Sequence, residues 1–219
     1  MNFIAATVVL KSTSPDPVTA YGLSYRSADA VIPSGGSASE VRVRLLCYDR
    51  AGAKLDSFTG WKEGNRALIT GNLVFSDDTS KPYDLIVSTI ETNIPQDMYC
   101  NQVVLGNAFF GDDRITERKN SQLAVKIGTT LDNSDVVTWL YLETHDSRKS
   151  KLEDRIRRGR PICVQGYLRE YRKDDSDSPY RAIVASDFTT RKDSKRSNRN
   201  PQTSGSAAGY NEVDPTPDY

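Results

Sequence analysis

The stretch RRGRPICVQGYLREYR, Arg157 to Arg172, reads as a strand with two unlike faces. Side chains alternate sides along a strand, so residues two apart share a face. Ile162, Val164 and Leu168 fall together, with Gly166 between the last two, and make an apolar face suited to a core. Cys163, Gln165, Tyr167, Arg169 and Tyr171 take the opposite face. Aromatic, cation, aromatic in succession on an outward face suits a flat, anionic partner.

The same layout occurs earlier in the chain. WKEGNRALITGNLVFSDDTSKPYDLIVSTIETNI, from Trp61, and IRRGRPICVQGYLREYRKDDSDSPYRAIVASDF, from Ile156, each carry a glycine, an apolar alternation, a second glycine and then Leu. A polar turn follows, Asp77-Asp78 in one and Asp174-Asp175 in the other, where aspartate serves turn chemistry. Gly64 and Gly71 match Gly159 and Gly166 at an offset of 95 (159 − 64). That offset also aligns ADAVIP from Ala28 with LAVKIG from Leu123, and VRLLC from Val43 with TWLYL from Thr138. Asn2 and Asn101 stand at the two starts. Such a run without a gap predicts an internal duplication.

In the second copy, alternation predicts strands over 102–110, 122–130, 136–145, 162–171 and 180–188. Between the third and fourth, SRKSKLEDRIRRG predicts a short helix. Ser150 and Glu153 resemble a capping box, Leu152 and Ile156 share a face, and Gly159 followed by Pro161 ends it. Five short strands with a helix before the fourth predict an OB-fold, a small Greek-key barrel that commonly binds oligonucleotides. The expected fold class is all-β, with two tandem OB-fold barrels over 1–97 and 100–191. In the first copy the matching connection, RAGAKLDSFTGWKEG, is a poorer helix, and Trp61 aligns with Ile156 as a core residue. Residues 192–219, rich in Ser, Asn, Gly and Pro, are expected to form a disordered linker with an acidic, aromatic-ended tip.

The charges sum to zero, 29 basic against 29 acidic, but they are unevenly placed. Residues 1–99 carry 9 basic and 11 acidic groups (−2), residues 100–192 carry 17 and 14 (+3), and the remainder 3 and 4 (−1). The positive charge therefore gathers in the second copy. Cys47, Cys100 and Cys163 are too few and too far apart for a disulfide framework or a zinc site. Cys47 and Cys163 read as small buried or half-buried side chains in a reducing, cytoplasmic compartment. No apolar run is long enough to span a membrane, and the N-terminus reads as a strand rather than a secretory signal. His145, the only histidine, pairs with the backbone or Asp146 in this reading. No nucleophile–base pattern, phosphate-binding glycine loop or metal spacing is present, so neither enzyme activity nor a cofactor is expected.

NQVVLGNAFF, from Asn101, and TWLYLETHDSRKSKLEDRIRRGRPICVQGYLREYR, from Thr138, give the second copy two long stretches of one pattern. In them it resembles the bacterial single-stranded DNA-binding protein family. Trp139 in the third strand, the Arg-Gly corner at Gly159, and Gly166 and Leu168 fall in the family's order. The first copy matches weakly, and two barrels in one chain resemble the tandem versions in which a homodimer supplies four. The tip NEVDPTPDY keeps the acidic, proline and aromatic character of the family's tail but not its wording. The resemblance implies a protein that coats single-stranded DNA in replication, recombination and repair, in a bacterial cytoplasm or encoded by a phage. It implies a docking tip for replication and repair proteins at Glu212, Asp214, Asp218 and Tyr219.

The residues point the same way. Leu140 and Leu142 face inward, which leaves Trp139 and Tyr141 outward beside Tyr167, Arg169 and Tyr171. Rings stack bases and cations hold phosphates. Lys126, and Arg114, Arg118 and Lys119 in the polar loop after the first strand, extend the cationic track. The competing reading makes Trp139 a core ring and the tyrosines ordinary cross-strand packing. The first copy offers Arg42, Arg44 and Tyr48 on the corresponding face, with Asn72 and Val74 in place of Tyr167 and Arg169, so it is the weaker binder. Two other functions fit the pattern: an OB-fold module that recruits proteins, and a binder of single-stranded RNA.

Overall fold

In a computed structural model the described residues are mostly β-strand, with one short α-helix. The structure describes residues 2–14, 16–34, 40–48, 60–75, 81–118, 122–130, 137–171 and 180–190. The first half holds β1 (Asn2–Thr13), β2 (Val18–Ala20), β3 (Leu23–Ile32), β4 (Val41–Tyr48), β5 (Arg66–Val74) and β6 (Tyr83–Glu91). The second holds β7 (Asn101–Phe110), β8 (Thr116–Arg118), β9 (Gln122–Thr130), β10 (Val137–His145), a short helix α1 (Lys149–Glu153), β11 (Pro161–Tyr171) and β12 (Tyr180–Thr190). The Asp-Asp turns, Lys119, most of the first copy's connection and everything after Thr190 lie outside the described residues.

Each half closes on itself. In the first, β1 pairs with β3 and β5, β3 with β4, β5 with β6, and β4 with β6 in parallel. The second repeats this with β7, β9, β10, β11 and β12, including the parallel pair β10–β12. One parallel contact in an otherwise antiparallel five-stranded closure is the expected OB topology. Alternation supplies the two cores: Ile4, Leu45, Ile69 and Leu85 are buried in one barrel, and Val103, Leu142, Val164 and Ile183 in the other. Each such side chain contributes about 1.5–3 kcal/mol on full burial. The short edge strands β2 and β8 were not expected from the pattern; they extend β3 and β9 as hairpins.

The duplication is real in its pairing but not gapless. The offset of 95 holds for β5 and β11. Gly64 and Gly159 both have positive φ, at 84° and 77°. Gly71 and Gly166 both sit at a bulge where a Cβ would lie 2.2 Å from a backbone oxygen of the next strand, Ile86 or Val184. Elsewhere the offset drifts. Val31 pairs with Arg42 and Gly128 with Trp139, which makes the equivalence 97 (139 − 42) for β3/β9 and β4/β10. Ile86 and Val184 give 98 for β6/β12 (184 − 86). The slips fall between strands, because a one-residue shift within a strand would turn a core face outward.

Three local expectations are corrected. Ser150 is not a capping residue: β10 runs into a 3-10 turn at Asp146–Arg148, so α1 starts at Lys149 with no side-chain cap. The helix ends at Glu153 rather than at Gly159, although the Ile156 amide still reaches the Leu152 carbonyl at 2.8 Å. Leu152 and Ile156 do pack on the core, and Pro161 opens β11 instead of stopping the helix. Cys47 is buried as expected, but Cys163 is exposed, because its phase on β11 is that of Tyr167.

The two barrels share one sheet of 12 strands, joined where β1 pairs antiparallel with β7. Ile4 lies opposite Val103 on an approximate two-fold axis between them. A charged cluster crosses the join: the fully buried Glu170 (0% exposed) receives Arg42 from β4 and Arg181 from β12, each at 3.2 Å. The Arg181 guanidinium lies 4.5 Å from the Tyr83 ring centre and donates to the Lys81 carbonyl.

Candidate nucleic-acid interface

Strands β9, β10, β12 and β11 lie side by side, and their ladder builds the outward face row by row. Lys126 is opposite Tyr141, Tyr141 opposite Ala182, and Ala182 opposite Arg169, which makes a row of cation, ring, small residue and cation. Trp139 is one step along β10, opposite Gly128. Trp139, Tyr141 and Tyr167 are exposed at 38%, 36% and 38%. That is high for large rings with apolar neighbours, and it settles their outward orientation.

Trp139 lies against backbone. A Cβ on Gly128 would come within 2.9 Å of its ring and one on Gly111 within 2.4 Å, so both glycines are needed for the indole to lie there. Phe109 supports it edge-on, with ring centres 5.8 Å apart and planes at 78°. A second aromatic group runs from Tyr141 to Tyr180 at 5.0 Å and on to Tyr171 at 5.6 Å. Beneath it, the Tyr171 hydroxyl donates to the buried Glu143 carboxylate at 2.7 Å. Burial, reinforced by Glu143, pushes the Tyr171 and Tyr180 phenols well above their ordinary range, so both stay neutral.

The cations sit over the rings. The Lys126 ammonium is 4.8 Å from the Trp139 ring centre, Arg169 is 4.8 Å from Tyr171, and Arg118 is 4.7 Å from Tyr180 and 5.8 Å from Tyr141. Arg118 gets there from β8, not from a loop. Arg114 is exposed before β8, with its amide bonded to Asp112. Eight of the sequence-derived residues, Trp139, Tyr141, Tyr167, Arg169, Tyr171, Arg118, Lys126 and Arg114, thus belong to the second barrel's outward surface. Two further aromatics, Tyr180 and Phe109, were missed. Tyr180 had a readable signal, since alternation along β12 puts it in phase with Ala182; Phe109 becomes relevant only once β7 and β9 are neighbours.

The first barrel differs. Arg42 and Arg44 occupy the places of Trp139 and Tyr141, but both are held by carboxylates, Arg42 by Glu170 and Arg44 by Asp84. Tyr48 is exposed and its ring lies 4.9 Å from Tyr25. Asn72 is exposed, whereas Val74 is buried and offers nothing outward. The tip residues Glu212, Asp214, Asp218 and Tyr219 lie outside the described residues.

No protein-family model and no curated protein matches the chain by sequence. Solved structures do match. The wild-type single-stranded DNA-binding protein from Thermus aquaticus aligns with a TM-score of 0.57 and 18% identity, over 94% of this chain and 97% of that chain. A deletion variant of it aligns with a TM-score of 0.57 and 16% identity, over 93% and 98%. The chain has the fold of that bacterial protein. The likeness spans both barrels, including the first copy, whose sequence resembles the family weakly. Among the described residues no group of His, Cys, Asp and Glu is arranged to hold a metal, and no helix is long and apolar enough to cross a membrane.

Proposed function

We propose that the chain binds single-stranded DNA without sequence preference, on the outward face of its second barrel. The observation that carries this reading is the row of exposed rings and cations on adjoining strands, Trp139, Tyr141 and Tyr167 with Lys126, Arg118 and Arg169. Magnitudes suit an exchange of partners. An exposed cation–π contact is worth about 0.5–1 kcal/mol, and a base stacked on an aromatic about 1–3 kcal/mol. An arriving base displaces the cation from the ring, and the released cation turns to the neighbouring phosphate. Titration with oligo-dT, oligo-U and duplex DNA at one salt concentration tests this. Tight binding of dT and weak binding of duplex is expected. Equal preference for oligo-U makes it a general single-strand binder, and failure to bind any of them leaves a protein-recruiting module.

In this reading residues 1–97 form an auxiliary barrel, 100–191 the main one, and 192–219 a linker ending in a docking tip for replication, recombination and repair proteins of the cytoplasm. Glu212, Asp214 and Asp218 around Tyr219 suit a pocket with a basic rim and an apolar floor. Deleting 212–219 should leave dT affinity equal or slightly higher while replication or repair partners are no longer captured. The functional unit is a homodimer with four barrels. In its support, Phe3 is exposed on β1 one residue from the Ile4–Val103 pair on the approximate two-fold axis. A face with its own two-fold symmetry can match a second copy. Light scattering should give twice the chain mass, and Phe3→Glu should halve it.

A further inference from the structure

The first barrel has a row that corresponds to the second barrel's across its own strands, with different chemistry. Where the second has Lys126, Tyr141, Ala182 and Arg169, the first has Asp29, Arg44, Asp84 and Val74, opposite one another across β3, β4, β6 and β5. The decisive exchange is Asp84 for Ala182. The Asp84 carboxylate accepts Nε and Nη2 of Arg44, both at 2.7 Å, and the Tyr21 hydroxyl at 2.6 Å. Tyr21 reaches it from the tip of the β2–β3 hairpin, where Tyr21 and Gly22 both have positive φ, 51° and 74°. That backbone is unfavourable for a tyrosine, so the hairpin tip is held in place at some cost. Asp84 itself is 7% exposed.

A guanidinium grips a carboxylate and a phosphate with the same two-pronged geometry. Arg44 and Tyr21 therefore already hold an anion, and the row as a whole presents two acids against one cation. The face is otherwise equipped for a strand, since Tyr21 and Tyr48 are both exposed rings. We propose that Asp84 excludes the nucleic-acid backbone from the first barrel: an internal carboxylate takes the donors of Arg44 and Tyr21 as a phosphate would, and the strand is left to the second barrel. This rests on the reading of the second barrel's platform given above.

Fluorescence anisotropy with oligo-dT over a salt series, on the full chain, tests the proposal. The variants are Trp139→Ala, Asp84→Ala and the double variant, each checked by circular dichroism and melting. Adding Asp84→Ala to Trp139→Ala should raise affinity on the order of tenfold and steepen the salt slope by about 0.7, one further phosphate neutralised. Adding Arg44→Ala as well should cancel the gain. Asp84→Asn, which keeps the shape but not the charge, should move affinity in the same direction, and it carries the test if the alanine variant does not fold. A folded Asp84 variant with unchanged affinity and slope, or a gain that survives loss of Arg44, overturns the proposal. If Trp139→Ala alone has no effect, the platform reading fails instead, and a gain from Asp84→Ala in the otherwise native chain still stands for the first barrel.

Discussion

Trp139 owes its position to residues that have no side chain. With Gly128 across the ladder and Gly111 at the end of β7, the indole rests on backbone, braced edge-on by Phe109. The Lys126 ammonium lies over the ring. Two predictions follow from that geometry. Trp139→Ala and Tyr167→Ala should each weaken oligo-dT binding by about 1–3 kcal/mol with the melting temperature nearly unchanged, because both rings are exposed. A loss well under 1 kcal/mol for both, in a fluorescence titration, would mean that the rings only cover the sheet. Gly128→Ala puts a methyl 2.6 Å from Phe109 and 2.9 Å from Trp139, so one ring must move. It should lower affinity although it removes no contact group, and a red-shifted tryptophan emission in the free protein should report the displaced indole.

The strands β10, β12 and β11 act together beneath the rings. Glu143 of β10 is a buried carboxylate, and Tyr171 of β11 reaches it with a hydrogen bond of 2.7 Å. Tyr171→Phe keeps the ring and leaves the carboxylate with one donor fewer. Its expected cost is about 1–3 kcal/mol of stability, read from urea unfolding, with a much smaller effect on binding. The pH response has a definite sign. Burial raises the phenols of Tyr171 and Tyr180 in the folded state, so the unfolded chain releases these protons first. Their stabilisation is complete below about pH 10, the ordinary value for tyrosine, and is lost as pH rises toward the folded values. Melting temperature should therefore fall on the alkaline side of pH 10, and less steeply in Tyr171→Phe. Parallel curves for the two proteins would show that Tyr171 is not a source of the fall.

At the level of the molecule, the join between barrels is both strand pairing and charge. Glu170 sits between Arg42 and Arg181, one arginine from each barrel, and is wholly out of water. A buried carboxylate needs its partners, so removing one is costly even where the intact cluster adds little. Arg42→Ala should cost about 1–3 kcal/mol in urea unfolding while dT affinity stays close to native, because Arg42 is committed to the join. A large loss of affinity at unchanged stability would return Arg42 to the nucleic-acid track. Binding by the whole chain should weaken with salt by a slope of about −0.7 per phosphate neutralised. A flat response would separate Lys126, Arg118 and Arg169 from the strand.

Much of this was legible in the chain. The faces of β11 follow from steric alternation, a local rule, and so do the inward phases of Leu140, Leu142, Ile162, Val164 and Leu168. Repeated glycines at 64, 71, 159 and 166 exposed the duplication, because each copy needs the same turn and the same close backbone approach. Neighbours across strands were not legible. Nothing local to Arg42 announces Glu170, 128 residues away, and nothing local to Arg44 announces Asp84, 40 residues away, yet those carboxylates decide whether either cation is free. The fusion of two barrels into one sheet is of the same kind. Alternation is set by each residue's own backbone, whereas the neutralisation of a charge is set by which distant strand the fold lays beside it.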